Sequence, residues 1–356
     1  MPRSILIAAL AAVACSSPPP VDDAAEPPPV VAPVPVPSEI PAAMASVAPS
    51  PGALRSFGDW TVGCDNLKRC KAVALVPGSD VGEPRLLPSV ERDAGADGAI
   101  RIGLSGQVTP SAPITISIDG QRVATGGSDD GPAFVGQDAR RIVSAMIDGK
   151  RATIDSNGAV SNLSLAGASA ALRYIDAEQG RAGTTAALVA RGSAPDRTRA
   201  PVPPVIRLAR REGAAAMLSP DLVATMRRDA ACESGSGDPD TAPLGGCRTL
   251  ALMPCSRGAY NLSSAVFIVA DGRATPARFG ADGGMNPDAR VPNVVNASFD
   301  DGILSTFAKG RGLGDCGVIQ LFAWDGTGFR LAEQREMGEC RGSIDYITTW
   351  RAQVVR

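Results

Sequence analysis

Cysteine is the residue type in this chain whose number and spacing most clearly indicate a chemistry. The 356 residues include eight cysteines and no histidine. The cysteines stand at positions 15, 64, 70, 232, 247, 255, 316 and 340. They form no Cys-x-x-Cys motif, and a zinc site that mixes cysteine with histidine is excluded because histidine is missing. The pattern favours structural disulfides over a metal site or thiol redox chemistry.

Catalysis by a side-chain nucleophile has little support in the sequence. Without histidine there is no Ser-His or Cys-His pair, and none of the four lysines completes a Ser-x-x-Lys motif. Paired carboxylates could act without histidine, and the candidates are Asp300, Asp301, Asp315 and Asp325. They lie mostly in predicted turns, where aspartate serves backbone geometry. We therefore expect no catalytic residue, and a carboxylate-dependent hydrolase is the alternative.

The N-terminus, residues 1–14, has the pattern of a secretory signal peptide. Arg3 precedes an apolar run that ends in small residues. Cys15 follows directly, as in a bacterial lipobox, although Ala12 stands where a lipobox usually has leucine. Ordinary cleavage would leave Cys15 as a free thiol, which is a liability in an oxidising compartment. We expect Cys15 to carry a lipid anchor, which would place the protein in the periplasm or envelope at the outer membrane.

A proline-rich segment, residues 15–52, follows the signal peptide. Residues 18–52 hold 12 of the 30 prolines, and nothing in them can pack a core. Polyproline II is the default conformation of such a segment, at roughly 3.1 Å per residue. The sequence therefore predicts a disordered linker that holds the folded part away from a membrane.

Beyond the linker the sequence predicts a β-rich α+β fold in two disulfide-braced domains. These are residues 53–192 and residues 206–356, separated by a Pro-rich hinge at residues 193–205. An apolar content of 44% is enough for packed cores. Apolar periodicity predicts helices at 138–148 and 168–179 in the first domain.

Two local signals organise the second domain. Ser219 is a good N-cap and Pro220 suits the first helical position, so a helix is predicted to begin there. Asp325-Gly326-Thr327-Gly328 separates two strand-like runs and predicts a hairpin.

Several separated phrases of the sequence resemble one bacterial family. They are residues 57–66 with Cys70, 164–172, 175–176, 179–181, 255–261, 309–317, 324–326 and 340–342. In this order they are similar to the family called domain of unknown function 1176, over about residues 56–356. The first half also resembles the invasion-associated locus B proteins. The resemblance implies an exported bacterial protein with a frame of cysteines, and it implies no catalytic residues.

Three disulfides are expected within that frame. The proposed pairs are Cys64–Cys70, Cys232–Cys255 and Cys316–Cys340. Cys247 is then left over if Cys15 is lipidated, and its pairing with Cys255 or with Cys232 is an alternative for the middle bond.

The loop before residue 318 carries the candidate ligand contacts. Glycines within residues 312–317 match the dinucleotide fingerprint, but a strand-like run follows where the fingerprint needs a helix. A tight turn that leads into a disulfide is the preferred interpretation. Lys309, Arg311 and Asp315 on this loop could contact an anionic ligand.

Taken together, the sequence favours a non-enzymatic binding module of the cell envelope. The expected partners are a membrane, through the lipid anchor, and an envelope protein or glycan. A net charge of −2 gives no field to attract nucleic acid. No cofactor or metal is expected, and a purely structural envelope component is a further alternative.

Overall fold

The structure is a computed structural model. It describes residues 48–78, 86–106, 112–127, 133–233, 236–281, 284–285 and 289–356. The predicted signal peptide, Cys15 and the linker up to residue 47 lie outside the described residues. Residues 49–356 form one compact unit.

Short strands and two helices fill residues 55–178. In chain order they are β1 (Arg55–Phe57), β2 (Trp60–Cys64), β3 (Cys70–Ala74), β4 (Leu87–Arg92), β5 (Ile100–Ser105), β6 (Ile114–Ile118), β7 (Gln121–Gly126), β8 (Phe134–Val135), α1 (Gly136–Asp148), β9 (Arg151–Ser156), β10 (Ala159–Ser164) and α2 (Ala168–Glu178). One antiparallel sheet has the order β1-β2-β3-β4-β5-β8, and a second has the order β10-β9-β6-β7. Both helices predicted from apolar periodicity are confirmed.

The core of this part lies between the two sheets and the two helices. Ile114, Ile116 and Ile118 of β6 are buried, while the alternate residues Thr115 and Ser117 are half-exposed. This alternation is what a half-buried strand requires, because successive side chains point to opposite faces. The second sheet therefore keeps one polar face towards solvent.

The second part of the unit, residues 205–355, is richer in strands. Its elements are β11 (Val205–Arg207), α3 (Pro220–Asp229), β12 (Asp240–Gly245), β13 (Arg248–Arg257), β14 (Leu262–Ala270), β15 (Arg273–Pro276), β16 (Gly284–Met285), β17 (Asn293–Val295), β18 (Ser298–Asp300), β19 (Ile303–Lys309), β20 (Gly317–Trp324), β21 (Phe329–Met337), β22 (Ile347–Arg351) and β23 (Gln353–Val355). One sheet has the order β12-β13-β14-β17-β16, with β15 also paired to β14, and another has the order β18-β19-β20-β21-β22. β11 pairs with β23 in parallel.

Both local signals in this part are confirmed. The Ser219 hydroxyl accepts a hydrogen bond from the Leu222 N–H at 3.3 Å and caps α3. Asp325 turns the chain between β20 and β21, where its Oδ1 accepts from the backbone of Thr327 at 2.7 Å and of Gly328 at 2.8 Å.

The two parts share buried contacts. Val73 and Leu75, at the end of β3 and just beyond it, pack in one apolar cluster with Met337 and Ile347. The N–H of Gly52 also donates to the carbonyl oxygen of Thr349 at 2.8 Å. Chain on both sides of the proline-rich segment 193–205 thus contributes to one core.

Three disulfides join cysteines within the described residues and brace this β-rich fold. They are Cys64–Cys70, Cys232–Cys255 and Cys316–Cys340. The first joins the end of β2 to the start of β3. The third joins Cys316, directly before β20, to Cys340, shortly after β21. The prediction of a β-rich α+β fold braced by disulfides is confirmed. Cys247 lies in the turn between β12 and β13 with a φ of 58°.

Candidate functional site

The three predicted ligand contacts lie at the connection between β19 and β20. The Arg311 guanidinium donates to both carboxylate oxygens of Asp315, with Nε 2.7 Å from Oδ1. The backbone N–H of Gly342 donates to Oδ2 at 2.7 Å. The hydrogen bond from Arg311 holds the pKa of Asp315 below its ordinary value. Asp315 is only 3% exposed, so its carboxylate bonds within the loop region and does not face solvent. Lys309 is half-exposed and is therefore more accessible to a ligand than Asp315.

The glycines of this loop are required by its close packing. A Cβ at Gly310 would lie 2.7 Å from the sulfur of Cys316. Gly317 has a φ of +135°, and a Cβ there would lie 2.1 Å from the carbonyl oxygen of Ala308. Cys316 is joined to Cys340 with their Cα atoms 4.8 Å apart. The glycine spacing therefore builds a tight turn into a disulfide.

A second segment of the family-like sequence binds the same loop. The Tyr260 hydroxyl donates to the carbonyl oxygen of Gly310 at 3.1 Å. The Asn261 side chain donates to the carbonyl of Lys309 at 2.9 Å and accepts from its N–H at 3.2 Å. These bonds fix the loop on the side that faces the β13–β14 turn.

Arg341 connects the loop region to the first part of the unit. Its Nε donates to the carbonyl oxygen of Val76 at 2.9 Å, and Nη1 donates to that of Gly58 at 3.0 Å. Nη2 pairs with the Asp59 carboxylate at 2.5 Å. Segments that are distant in the sequence, 57–66, 255–261, 309–317 and 340–342, therefore meet at one junction.

Three large apolar side chains are exposed around this junction. Leu313 is 68% exposed, Ile344 is 60% exposed and Tyr260 is 41% exposed. The Tyr346 hydroxyl donates to the carbonyl oxygen of Gly314 at 3.1 Å, which holds the segment that carries Ile344 beside the loop. We call Tyr260, Leu313 and Ile344 the apolar loop surface. Sequence analysis missed Tyr260 and Ile344 as surface residues, since exposure at these positions depends on tertiary contacts.

The family-like residues of α2 and of the segment after it are buried and do not lie at the junction. The Asp176 carboxylate is fully buried and accepts from the N–H groups of Leu188, Val189 and Ala190 at 2.7, 2.8 and 3.1 Å. Arg181 is also fully buried. These residues hold the chain after α2 against the helix and present no group to solvent.

Three of the four carboxylates considered for catalysis, Asp301, Asp315 and Asp325, are held by arginines. Asp301 forms ion pairs with Arg211 and Arg356. Asp325 receives a hydrogen bond from the Arg330 Nε at 2.6 Å. Burial would raise the pKa of Asp325, but the bonds from Arg330 and from its own turn hold it below its ordinary value. A general acid needs the opposite shift, so Asp325 does not fit that role in a hydrolase.

Two surface clefts complete the candidate sites. One of about 880 Å³ runs along α3 between Met217 and Val223, with Arg227 in its wall. The other, of about 540 Å³, lies at the end of the second sheet beside Lys150 and Arg151. Sequence analysis did not single out this second cleft, although two adjacent cations directly after a helix end were a possible signal.

Among the described residues there is no group of three or more metal-ligating side chains. No helix in the described part of the chain is long and apolar enough to cross a membrane.

Comparison with known proteins gives one family match and two named similarities. Residues 54–353 match the family described as "Protein of unknown function (DUF1176)". The chain is similar to the "Uncharacterized protein YpfG" of Escherichia coli strain K12, with 28% identity over 346 residues, 87% of this chain and 95% of that protein. It also shows a likeness to the crystal structure of invasion associated protein B from Bartonella henselae. The identity is 20% and the TM-score 0.28, over 36% of this chain and 99% of that chain.

Proposed function

We propose that this chain, which belongs to the DUF1176 family of proteins of unknown function, is an exported cell-envelope protein that binds a protein partner through its apolar loop surface. One observation carries the proposal: large apolar side chains are exposed on the loop and on the two segments bonded to it, at Leu313, Tyr260 and Ile344. Exposed apolar groups that are clustered rather than scattered mark interaction sites.

The fixed backbone is what makes this surface suitable for binding. The Cys316–Cys340 disulfide and the bond from the Gly342 N–H to Asp315 hold the loop to the segment after β21, and the Tyr260 hydroxyl holds it to the β13–β14 turn. A partner therefore does not have to order the loop, and less conformational entropy is lost on association. The exposed Leu313 and Ile344 contribute nothing to this bracing, so they are free to be contacted.

The surface also indicates the chemistry of its partner. Aliphatic and tyrosine side chains fill apolar pockets at the centre of protein interfaces. Lys309 borders the loop, with its Nζ 5.5 Å from the centroid of the Phe307 ring. The partner that fits is a protein surface with an apolar pocket and a carboxylate at its rim.

Sequence features and bonding support the envelope location. Disulfides persist in oxidising compartments such as the periplasm, and the N-terminal pattern is that of a signal peptide followed by Cys15. In the proposal a lipid on Cys15 attaches the protein to the outer membrane. The proline-rich linker then gives the folded unit reach from the membrane surface.

Site-specific photo-crosslinking in living cells tests both halves of the proposal. A photoreactive amino acid is placed at position 313 or 344, and the matched control is position 160, where Val160 is 55% exposed. Irradiated cells are then fractionated. We expect a discrete crosslinked protein from positions 313 and 344, absent at 160, with the chain recovered in the envelope fraction and its described cysteines inaccessible to thiol reagents.

Three outcomes contradict the proposal. Crosslinks that are absent from positions 313 and 344, or equally strong at 160, leave the apolar loop surface without a specific partner, as a purely structural role would. Recovery of the chain in the cytoplasm with reactive thiols removes the envelope location.

A further inference from the structure

The cleft at the end of the second sheet has the properties of an anion-binding site. It is formed by the β6–β7 turn at Asp119, by Lys150, Arg151 and Thr153 at the start of β9, and by Asn162 near the end of β10. Its volume of about 540 Å³ is within the range of small-ligand sites. These residues are separate from the apolar loop surface, so the inference does not depend on the proposed function.

The backbone of the cleft is fixed from two sides. The Asp119 carboxylate accepts from the N–H groups of Lys150 and Arg151 at 3.0–3.2 Å. The Leu165 N–H donates to the carbonyl oxygen of Lys150 at 3.0 Å. A Cβ at Gly149 would lie 2.6 Å from Ile118, so the chain leaves α1 in a tightly packed turn. The backbone that carries the Lys150 and Arg151 side chains is therefore held in place.

The side chains of the cleft present mainly hydrogen-bond donors. The Thr153 hydroxyl donates to Oδ1 of Asn162 at 3.1 Å, so Nδ2 of this exposed amide is left as a donor for a ligand. Lys150 and Arg151 are exposed and form no ion pair with any described residue. The single carboxylate, Asp119, is occupied by backbone N–H groups. Two positive charges against one negative charge favour an anion with several acceptor oxygens.

A polar sheet face extends from the cleft. Thr115, Ser117 and Thr153 are half-exposed on neighbouring strands, and Thr125 is exposed. The Thr115 and Thr125 hydroxyls lie 3.1 Å apart and bond to each other. Hydroxyls both donate and accept, so this face suits the hydroxyl groups of a sugar.

We propose that this cleft binds the phosphate group of a phosphorylated sugar. A phosphate monoester carries about −1.5 to −2 charges and three terminal oxygens, which match two cations and an amide donor better than a carboxylate does. Arginine and lysine both bind phosphate by charge-assisted hydrogen bonds. The sugar hydroxyls then meet the polar face.

Calorimetric titration with glucose 1-phosphate tests the site. The probes for comparison are inorganic phosphate, glucose and glucuronate, all at the same ionic strength. We expect glucose 1-phosphate to bind more tightly than each of the three. The Lys150→Gln/Arg151→Gln variant should weaken binding at least about tenfold, since both charge-assisted contacts are lost. The matched control is Arg273→Gln, which removes an exposed cation from β15, in another sheet and outside the lining of the cleft.

The substituted side chains are exposed, so folding of the variants is expected to be unchanged and is checked by thermal unfolding. Asn162→Asp gives a second test, because it replaces a donor by a negative charge and should also weaken binding. The proposal is overturned if glucose 1-phosphate does not bind, or if the double variant binds it as tightly as the Arg273→Gln control. Tighter binding of glucuronate would overturn the phosphate assignment, and equal binding of inorganic phosphate would overturn the sugar assignment.

Discussion

The Asp176→Asn substitution should lower the free energy of unfolding by about 3–5 kcal/mol, the cost typical of breaking a buried charge pair. The Asp176 carboxylate is fully buried and accepts three backbone hydrogen bonds, from Leu188, Val189 and Ala190. Nη1 of the buried Arg92 lies 3.8 Å from Oδ1. An asparagine keeps one acceptor oxygen, so its amide nitrogen must face at least one backbone N–H.

Two losses combine to give this magnitude. At least one hydrogen bond to a charged acceptor disappears, which is worth about 1.5–3 kcal/mol. The Arg92 guanidinium also loses its nearby negative charge. Burial and the neighbouring Arg181 already lower the pKa of Arg92 to about 10, while Asp176 raises it. Removal of Asp176 therefore leaves a buried cation with weaker compensation, and the pKa of Arg92 should fall further.

Urea unfolding at neutral pH, followed by circular dichroism, measures the loss. Hydrogen exchange at Leu188, Val189 and Ala190 gives a local readout, since at least one of these N–H groups loses its acceptor. The matched control is Asp155→Asn on the polar sheet face, where the carboxylate accepts one bond, from Gly158 at 2.8 Å. The control should cost less than about 1 kcal/mol. An Asp176→Asn variant that is no less stable than this control would refute the reasoning.

Two further predictions concern the junction around the loop. Replacing both Cys316 and Cys340 by serine should lower the free energy of unfolding by about 3.5 kcal/mol, from the entropy of a loop of about 25 residues; a loss under about 1 kcal/mol in urea would contradict this. Burial, and then Asp315, raise the pKa of Tyr346 to about 12. The neutral phenol therefore stabilises the fold below pH 10, the ordinary range for tyrosine, and this stability is lost as the pH rises towards 12. Between pH 9 and 11 the urea midpoint of the wild-type protein should fall more steeply than that of Tyr346→Phe, and parallel pH profiles would exclude this role.

Local signals in the sequence were sufficient for some of the elements. The alternation in β6, the apolar faces of α1 and α2, the Ser219 cap and the Asp325 turn each depend on residues within a few positions of one another. Such patterns report which side of a strand or helix is buried. They do not report which neighbour covers it.

Long-range contacts account for what the sequence could not predict. Arg341 and Asp59 are 282 positions apart, and neither stands in a pattern that indicates its partner. The same applies to Asp315: its charge and its flexible-looking loop suggested a ligand contact, but the backbone of Gly342 reaches its carboxylate through the fold. The polar cleft escaped notice for a related reason, since its residues come from one turn and two strands that only the sheet brings together.

The junction where the family-like segments meet contains two kinds of residue. The first kind forms bonds and close contacts inside the protein, as Arg341, Asp315 and the loop glycines do. Substitution of these residues therefore disturbs the fold. Leu313 and Ile344 stand between these fixed points and contact solvent. The fold determines where these two side chains are displayed but does not require their chemistry. Under the proposed function, binding specificity can therefore vary at positions 313 and 344 while the junction that presents them stays the same.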